Sequence, residues 1–327
     1  MLAPSDPRRI AFFNKPKHTI LNTLGLRTGS FDSVDISNLL NRFLGLPMTS
    51  LEHLVGSRMK SGPNAGSKLT EHAGIFRPLR ADGSTESLHD ATMELIQRFH
   101  DEAGVPFQVH PQIFPDKLVQ AETDPKKRRG LVPDGLNPHT GEIFECKTLG
   151  IGVSGNTAYY SRTDDEQIRA VDIRAKKVFP EYRNKAAAQD SKYFATPEGA
   201  TGPTQKIMLD YKKRFVPLVI GEFGELSAEL DHLIVTLAKT KAEKAEHRTP
   251  RQDVPHLAYP VIIWDFRRRL ARLHARHRCD MITRGVKFLD LRELIISDAA
   301  RSVANLVDEH ALSDRLDRQM YDAAARF

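Results

Sequence analysis

LVPDGLNPHTGEIFECKTL, residues 131–149, is the stretch whose reading decides the fold. Pro133-Asp134 closes an apolar run, Asn137-Pro138-His139-Thr140-Gly141 reads as a turn, and Glu142 to Lys147 reads as a second extended run. Strand side chains alternate between faces, so Glu145 and Lys147 share one face while Phe144 and Cys146 point the other way, into a core. If the two runs pair as a hairpin, Asp134 comes beside Glu145 although eleven positions separate them. Leu131, Val132, Leu136, Ile143 and Phe144 mark both runs as buried, and charged side chains inside buried strands need a compensating role.

Two carboxylates and one ammonium on a sheet edge suit a hard divalent cation beside a phosphodiester. Mg²⁺ prefers octahedral oxygen ligation, usually one or two carboxylates with water and substrate phosphate. It offsets the negative charge that protects a phosphodiester from attack. Lys147 is placed to orient a water and to stabilise charge building on the phosphoryl oxygens. The backbone carbonyl of Cys146, between Glu145 and Lys147, is a further oxygen ligand.

Pro133-Asp134 followed by Glu145-Cys146-Lys147 resembles the PD-(D/E)xK signature of the restriction-endonuclease-like nuclease superfamily, over roughly residues 85–185. The resemblance implies an α/β fold: a mixed central sheet flanked by helices, here with helical N- and C-terminal extensions. It implies Asp134, Glu145 and Lys147 as catalytic residues, and Mg²⁺ (or Mn²⁺) held by Asp134, Glu145 and the Cys146 carbonyl. In that superfamily the helix before the first strand often lends an acid or histidine to the metal site. His89, Asp90 and Glu94 are the candidates, and Glu94 is carried as that residue although it lies on the solvent side of the helical wheel. Members often dimerise to cut both strands, so a homodimer is implied too.

The chain has 327 residues, 40% hydrophobic and 28% charged, enough for a globular core in one or two domains. A net charge of +6 and a pI near 9.2 favour a polyanionic partner. Two cysteines, Cys146 and Cys279, build no disulfide framework and point to a reducing compartment. The start MLAPSDPRRI lacks the apolar centre of a signal peptide, and no run reaches the length of a membrane span. The expectation is an intracellular protein, cytoplasmic or nuclear, with no membrane partner.

Outward from the motif, residues 1–84 read as a basic arm and a small helical element, 85–300 as the nuclease-like core and 301–327 as a helical tail. Ile36, Leu39, Leu40 and Phe43 fall at helical spacing, and Thr49 to Glu52 reads as a capping box opening a second helix, with Leu51, Leu54, Val55 and Met59 inward. In the core a helix from Thr85 to Glu102 presents Leu88, Thr92, Leu95, Ile96 and Phe99 inward. Strands are expected at 107–114, 130–136, 142–148, 215–222 and 258–264. Helices are expected from Asp164 to Ala188, from Leu226 to Leu237 up to a lysine-rich break, and from Arg267 to Arg278.

Six arginines in the twelve positions 267–278 form the densest basic patch. Arg269, Arg272 and Arg276 share a face there, and with Arg174 and Lys177 of the helix after the motif they are the candidate nucleic-acid contacts. Gln167 is a further candidate, and Pro125-Lys126-Lys127-Arg128-Arg129 resembles a nuclear-localisation cluster. No phosphate-binding GxxxxGK[ST] loop, HExxH or paired CxxC occurs, which excludes the commonest nucleotide-hydrolase and zinc signatures. Two functions compete: a metal-dependent nuclease acting on nucleic acid, DNA favoured over RNA, and a catalytically inactive nucleic-acid-binding protein on the same scaffold. A scaffold for an acidic protein partner explains the charge but not the motif.

Overall fold

A computed structural model describes residues 19, 21, 31–44, 46–59, 66, 68–69, 84–116, 130–150, 159, 170–248, 255–288 and 294–295. Its elements in chain order are α1 (Ser33–Leu44), a 3₁₀ turn (Thr49–Leu54), β1 (Arg58–Met59), α2 (Ser84–Ala103), β2 (Gln108–Val109), β3 (Gly135–Asn137), β4 (Glu142–Thr148), α3 (Ala170–Tyr193), α4 (Pro203–Asp210), β5 (Phe215–Ile220), α5 (Ala228–Arg248), α6 (Pro255–Phe288) and β6 (Leu294–Ile295). They fall into two compact units, Met1–Thr28 with Thr85–Arg276, and Gly29–Ser84 with His277–Phe327. In the second of these, segments far apart in sequence come together, with Arg58–Met59 pairing to Leu294–Ile295.

The larger unit is mixed α/β. Its open sheet has the order β2-β3-β4-β5, antiparallel except for the parallel pair β4–β5. Alternation along β4 divides the core in two. Phe144 and Cys146 face one cluster with Leu218 and Ile220 of β5, Ile96 and Phe99 of α2, Leu230 and Ile234 of α5, and Phe266 and Leu270 of α6. Ile143 faces the opposite cluster with Phe215, Tyr182 and Ala186 of α3, and Met208 of α4. Helices therefore cover both faces of the sheet, as the apolar flanks of the motif require.

Strand lengths depart from expectation at the sheet's edge. Only Gln108–Val109 of 107–114 and Gly135–Leu136 of 130–136 are laddered, the second strand running on to Asn137. His110 has φ 50°, a left-handed conformation that cannot continue a strand, and Pro111 follows it. Gly135 lies opposite Phe144, and a Cβ there would come within 2.3 Å of the edge of the Phe107 ring. Residues 142–148 and the start of 215–222 match β4 and β5, the latter ending at Ile220 before a tight turn at Gly221.

The segment 258–264 is helical, not a strand. It forms the first turns of α6, with Tyr259, Ile262, Ile263 and Phe266 on the core and Val261 and Trp264 exposed at 64% and 47%. A strand would have buried Val261 with Tyr259 and Ile263; the observed spacing is three and four. A short apolar run has no periodicity that separates the two outcomes, and continuity with residues 267–278 settled it. The lysine-rich break after Leu237 is likewise helical to Arg248, since Lys, Ala and Glu are strong helix formers. Lys241 there pairs with Glu102 at 2.5 Å.

In the smaller unit, β1 pairs antiparallel with β6, and Met48, Leu51 and Leu54 pack with Leu69, Ile282 and Val286. Thr49 caps no α-helix. Its Oγ1 is 3.0 Å from Ser37 Oγ, the segment is a 3₁₀ turn, and Val55 is exposed. On α1 the buried residues are Asn38 and Arg42, whereas Leu40 is exposed.

Candidate active site

β3 and β4 form the hairpin that the motif implies, in the register Gly135↔Phe144, Leu136↔Ile143 and Asn137↔Glu142. Asn137 builds its turn: Oδ1 accepts from the backbone N–H of His139 (3.0 Å) and Thr140 (3.3 Å), and Gly141, at φ 67°, donates to the Asn137 carbonyl. One step beyond Gly135, Asp134 comes level with Glu145. β3 has ended there, and the Asp134 side chain takes over its role: Oδ2 accepts the Cys146 backbone N–H at 2.7 Å. A charge-assisted bond of this kind contributes about 1.5–3 kcal/mol.

Glu145 is 3% exposed and Asp134 8%. Lys147 Nζ donates to Glu145 Oε1 at 2.5 Å. The other carboxylate oxygen, Glu145 Oε2, is buried with no hydrogen-bond partner among the described residues. Burial, then the negative charge of Asp134, pushes the Glu145 carboxyl up to about 6. Burial works in the same direction on Asp134 but is outweighed, chiefly by its bond to His89, and its carboxyl is held below the usual range. Burial opposes charge on Lys147, yet the Glu145 carboxylate prevails and raises its ammonium. The Cys146 thiol is fully buried and shifted up, an inert neutral group.

The first core helix does reach this cluster, through His89. Its Nε2 lies 3.0 Å from Asp134 Oδ2 and its Nδ1 3.0 Å from Asp90 Oδ1. The hydrogen bond to Asp134, against the opposing effect of burial, raises the imidazole to about 9. Glu94 is not brought to the site. It is exposed, 3.6 Å from Arg98, because it projects opposite the buried stripe of Leu88, Thr92, Leu95, Ile96 and Phe99. His89 borders that stripe, a position that helical spacing alone does not separate from the solvent-side Glu94 as the residue to carry.

The basic candidates are mostly engaged within the protein. Arg269 donates from both Nη atoms to Glu102 Oε1 at 2.6 Å, with its guanidinium 4.8 Å from the Phe99 ring centroid. Arg174 makes a two-pronged pair with Glu181 at 2.9 and 2.8 Å. Lys177 stands 4.9 Å over the Tyr159 ring. Arg272 is half-buried and Arg276 exposed. The exposed Lys185 of α3 acts electrostatically on Glu145, a link that residue spacing did not suggest. Gln167 and residues 125–129 lie outside the described residues.

Mg²⁺ takes one or two carboxylates and keeps several waters. Asp134 and Glu145 fit that demand, and the unpartnered Glu145 Oε2 is an atom such a cation satisfies. Among the described residues no group of three or more His, Cys, Asp or Glu side chains is placed to hold an ion. No helix among the described residues is long and apolar enough to cross a membrane. Comparisons with protein-family models, curated proteins and solved structures found no match.

Proposed function

We propose that this chain is a metal-dependent phosphodiesterase acting on nucleic acid, DNA in preference to RNA, with a restriction-endonuclease-like core in its larger unit. The observation that carries the reading is the meeting of Asp134 and Glu145 across the β3–β4 hairpin, with Lys147 on Glu145 and Glu145 Oε2 buried without a partner. Charges inside a desolvated site are expensive, so a cluster of this kind calls for a ligand that compensates them.

In this reading Asp134, Glu145 and the Cys146 carbonyl hold Mg²⁺ or Mn²⁺, which supplies charge neutralisation at the scissile phosphate. The Cys146 N–H and His89 orient Asp134. Lys147 keeps its proton, donates to the phosphoryl oxygens and holds the attacking water. That water's oxygen bonds to phosphorus and releases a proton as the ester P–O bond breaks, and the leaving oxygen takes up a proton in its place, so the step is proton-neutral. Burial of Glu145 excludes bulk water from the carboxylate pair.

The test is cleavage of supercoiled plasmid and of labelled single- and double-stranded oligonucleotides by wild type, Asp134→Ala and Lys147→Ala, with Mg²⁺, Mn²⁺ or EDTA. Metal-dependent cutting by wild type alone supports the proposal. No cutting by any of them sinks it. One observation favours a second reading, an inactive nucleic-acid-binding protein: His89 and Lys147 already occupy one oxygen of each carboxylate. Steeply salt-dependent DNA binding without cleavage identifies that case.

A further inference from the structure

One polar atom on the α3 side of the sheet is left unexplained by this mechanism. Tyr182 is 3% exposed, its ring 6.1 Å from Phe114 and 5.7 Å from Phe215 between centroids. It belongs to the cluster that packs on Ile143. Ile143 and Glu145 are two positions apart on β4, so they share a face, about 7 Å along the strand. The Tyr182 hydroxyl is buried with no hydrogen-bond partner among the described residues, and so is Glu145 Oε2.

Native interiors rarely leave such atoms unsatisfied, and two of them on one face point to a shared group, most simply a buried water. The hydroxyl lies within the field of the site. Burial, then the charges of Glu145 and Asp134, drive its pKa upward, so it stays protonated and can only gain by donating toward them.

Building on the phosphodiesterase reading, we propose that Tyr182 is a positioning residue of the site. Its hydroxyl donates to a buried water that in turn donates to one lone pair of Glu145 Oε2 and leaves the other for the cation, fixing the carboxylate in the orientation that binds it. α3 then forms a wall of the site opposite α2, which supplies His89.

The experiment compares wild type with Tyr182→Phe, which keeps the ring and removes only the hydroxyl. Three quantities are read: Mn²⁺ binding to the metal-free protein by electron paramagnetic resonance, kcat and KM for oligonucleotide cleavage, and Tm. The expected result is Mn²⁺ affinity and kcat each lower by about tenfold or more, the scale for partners that orient metal ligands. KM should stay within about twofold and Tm close to the wild-type value, because only the hydroxyl and its water bridge are lost while the ring contacts remain. Wild-type Mn²⁺ affinity and kcat in the variant overturn the inference and leave the nuclease reading intact. A fall in Tm that accompanies every loss makes the role structural and also overturns it. A wild type that neither binds Mn²⁺ nor cuts sinks both readings together.

Discussion

His89 Nε2 and Asp134 Oδ2 lie 3.0 Å apart, joining α2 to the hairpin that carries the motif. Because Asp134 also accepts from Cys146, this one contact couples the start of α2 to the backbone of β4. Its first consequence concerns protonation. His89 is raised from its ordinary 6.5 to about 9. A raised folded pKa means that the pair's stabilisation is complete below about 6.5 and is lost as pH rises through about 9. In metal-free protein at pH 7.5 His89 should be imidazolium, with an NMR titration midpoint well above that of a free histidine. A midpoint near 6.5 would show that the contact is absent in solution.

Lys147 is held by the buried carboxylate two positions before it. Lys147→Ala is expected to lower cleavage by about 10²-fold or more, as removal of a preorganised charge does in other hydrolytic sites. Single-turnover kinetics with saturating Mn²⁺ make the comparison. Wild-type rates in the variant would remove Lys147 from the chemistry.

Gly135 leaves room for the Phe107 ring on the face opposite the catalytic cluster. Gly135→Ala should displace that ring and destabilise the larger unit by about 1–3 kcal/mol, the usual scale of overpacking. Denaturant unfolding measures it, and an unchanged midpoint would mean that Phe107 yields without cost.

Glu102 gathers Arg269 and Lys241 from two other helices. Burial raises its carboxyl but is outweighed by the hydrogen bonds from Arg269 and Lys241, leaving the pKa depressed. The stability it contributes is therefore present above the unfolded carboxylate value and lost as pH falls through the lower folded one. Glu102→Gln should remove under about 1 kcal/mol at neutral pH, since the group is partly exposed, and flatten the acid limb of the Tm-against-pH curve.

The same geometry separates two kinds of cation. Arg269→Ala should lower Tm with little change in DNA affinity. Lys185→Ala should leave Tm in place and reduce the slope of log affinity against log salt by about one. The reverse pattern, read by fluorescence anisotropy across a salt series, would return Arg269 to the nucleic-acid surface.

The hairpin was legible because everything that defines it is local. A strand period of two, a turn residue that bonds its own neighbours, and a glycine at positive φ are all visible within residues 131–149. From these alone Asp134, Glu145 and Lys147 could be placed together. The inward stripe of α2 was equally plain from its spacing.

What only the tertiary structure decided is which distant groups meet. Nothing near Glu102 in sequence announces Arg269, 167 positions away, yet that pair engages the arginine with its own chain. Nothing in the spacing of α3 places Tyr182 in the cluster on Ile143, on the β4 face that also carries Glu145. The helix at 258–264 depended on which sheet and helices were there to receive it, because a seven-residue apolar run buries itself equally well in either conformation. Local sequence sets periodicity and turn chemistry; the long-range contacts that choose partners, protonation states and helix over strand exist only once the chain has closed on itself.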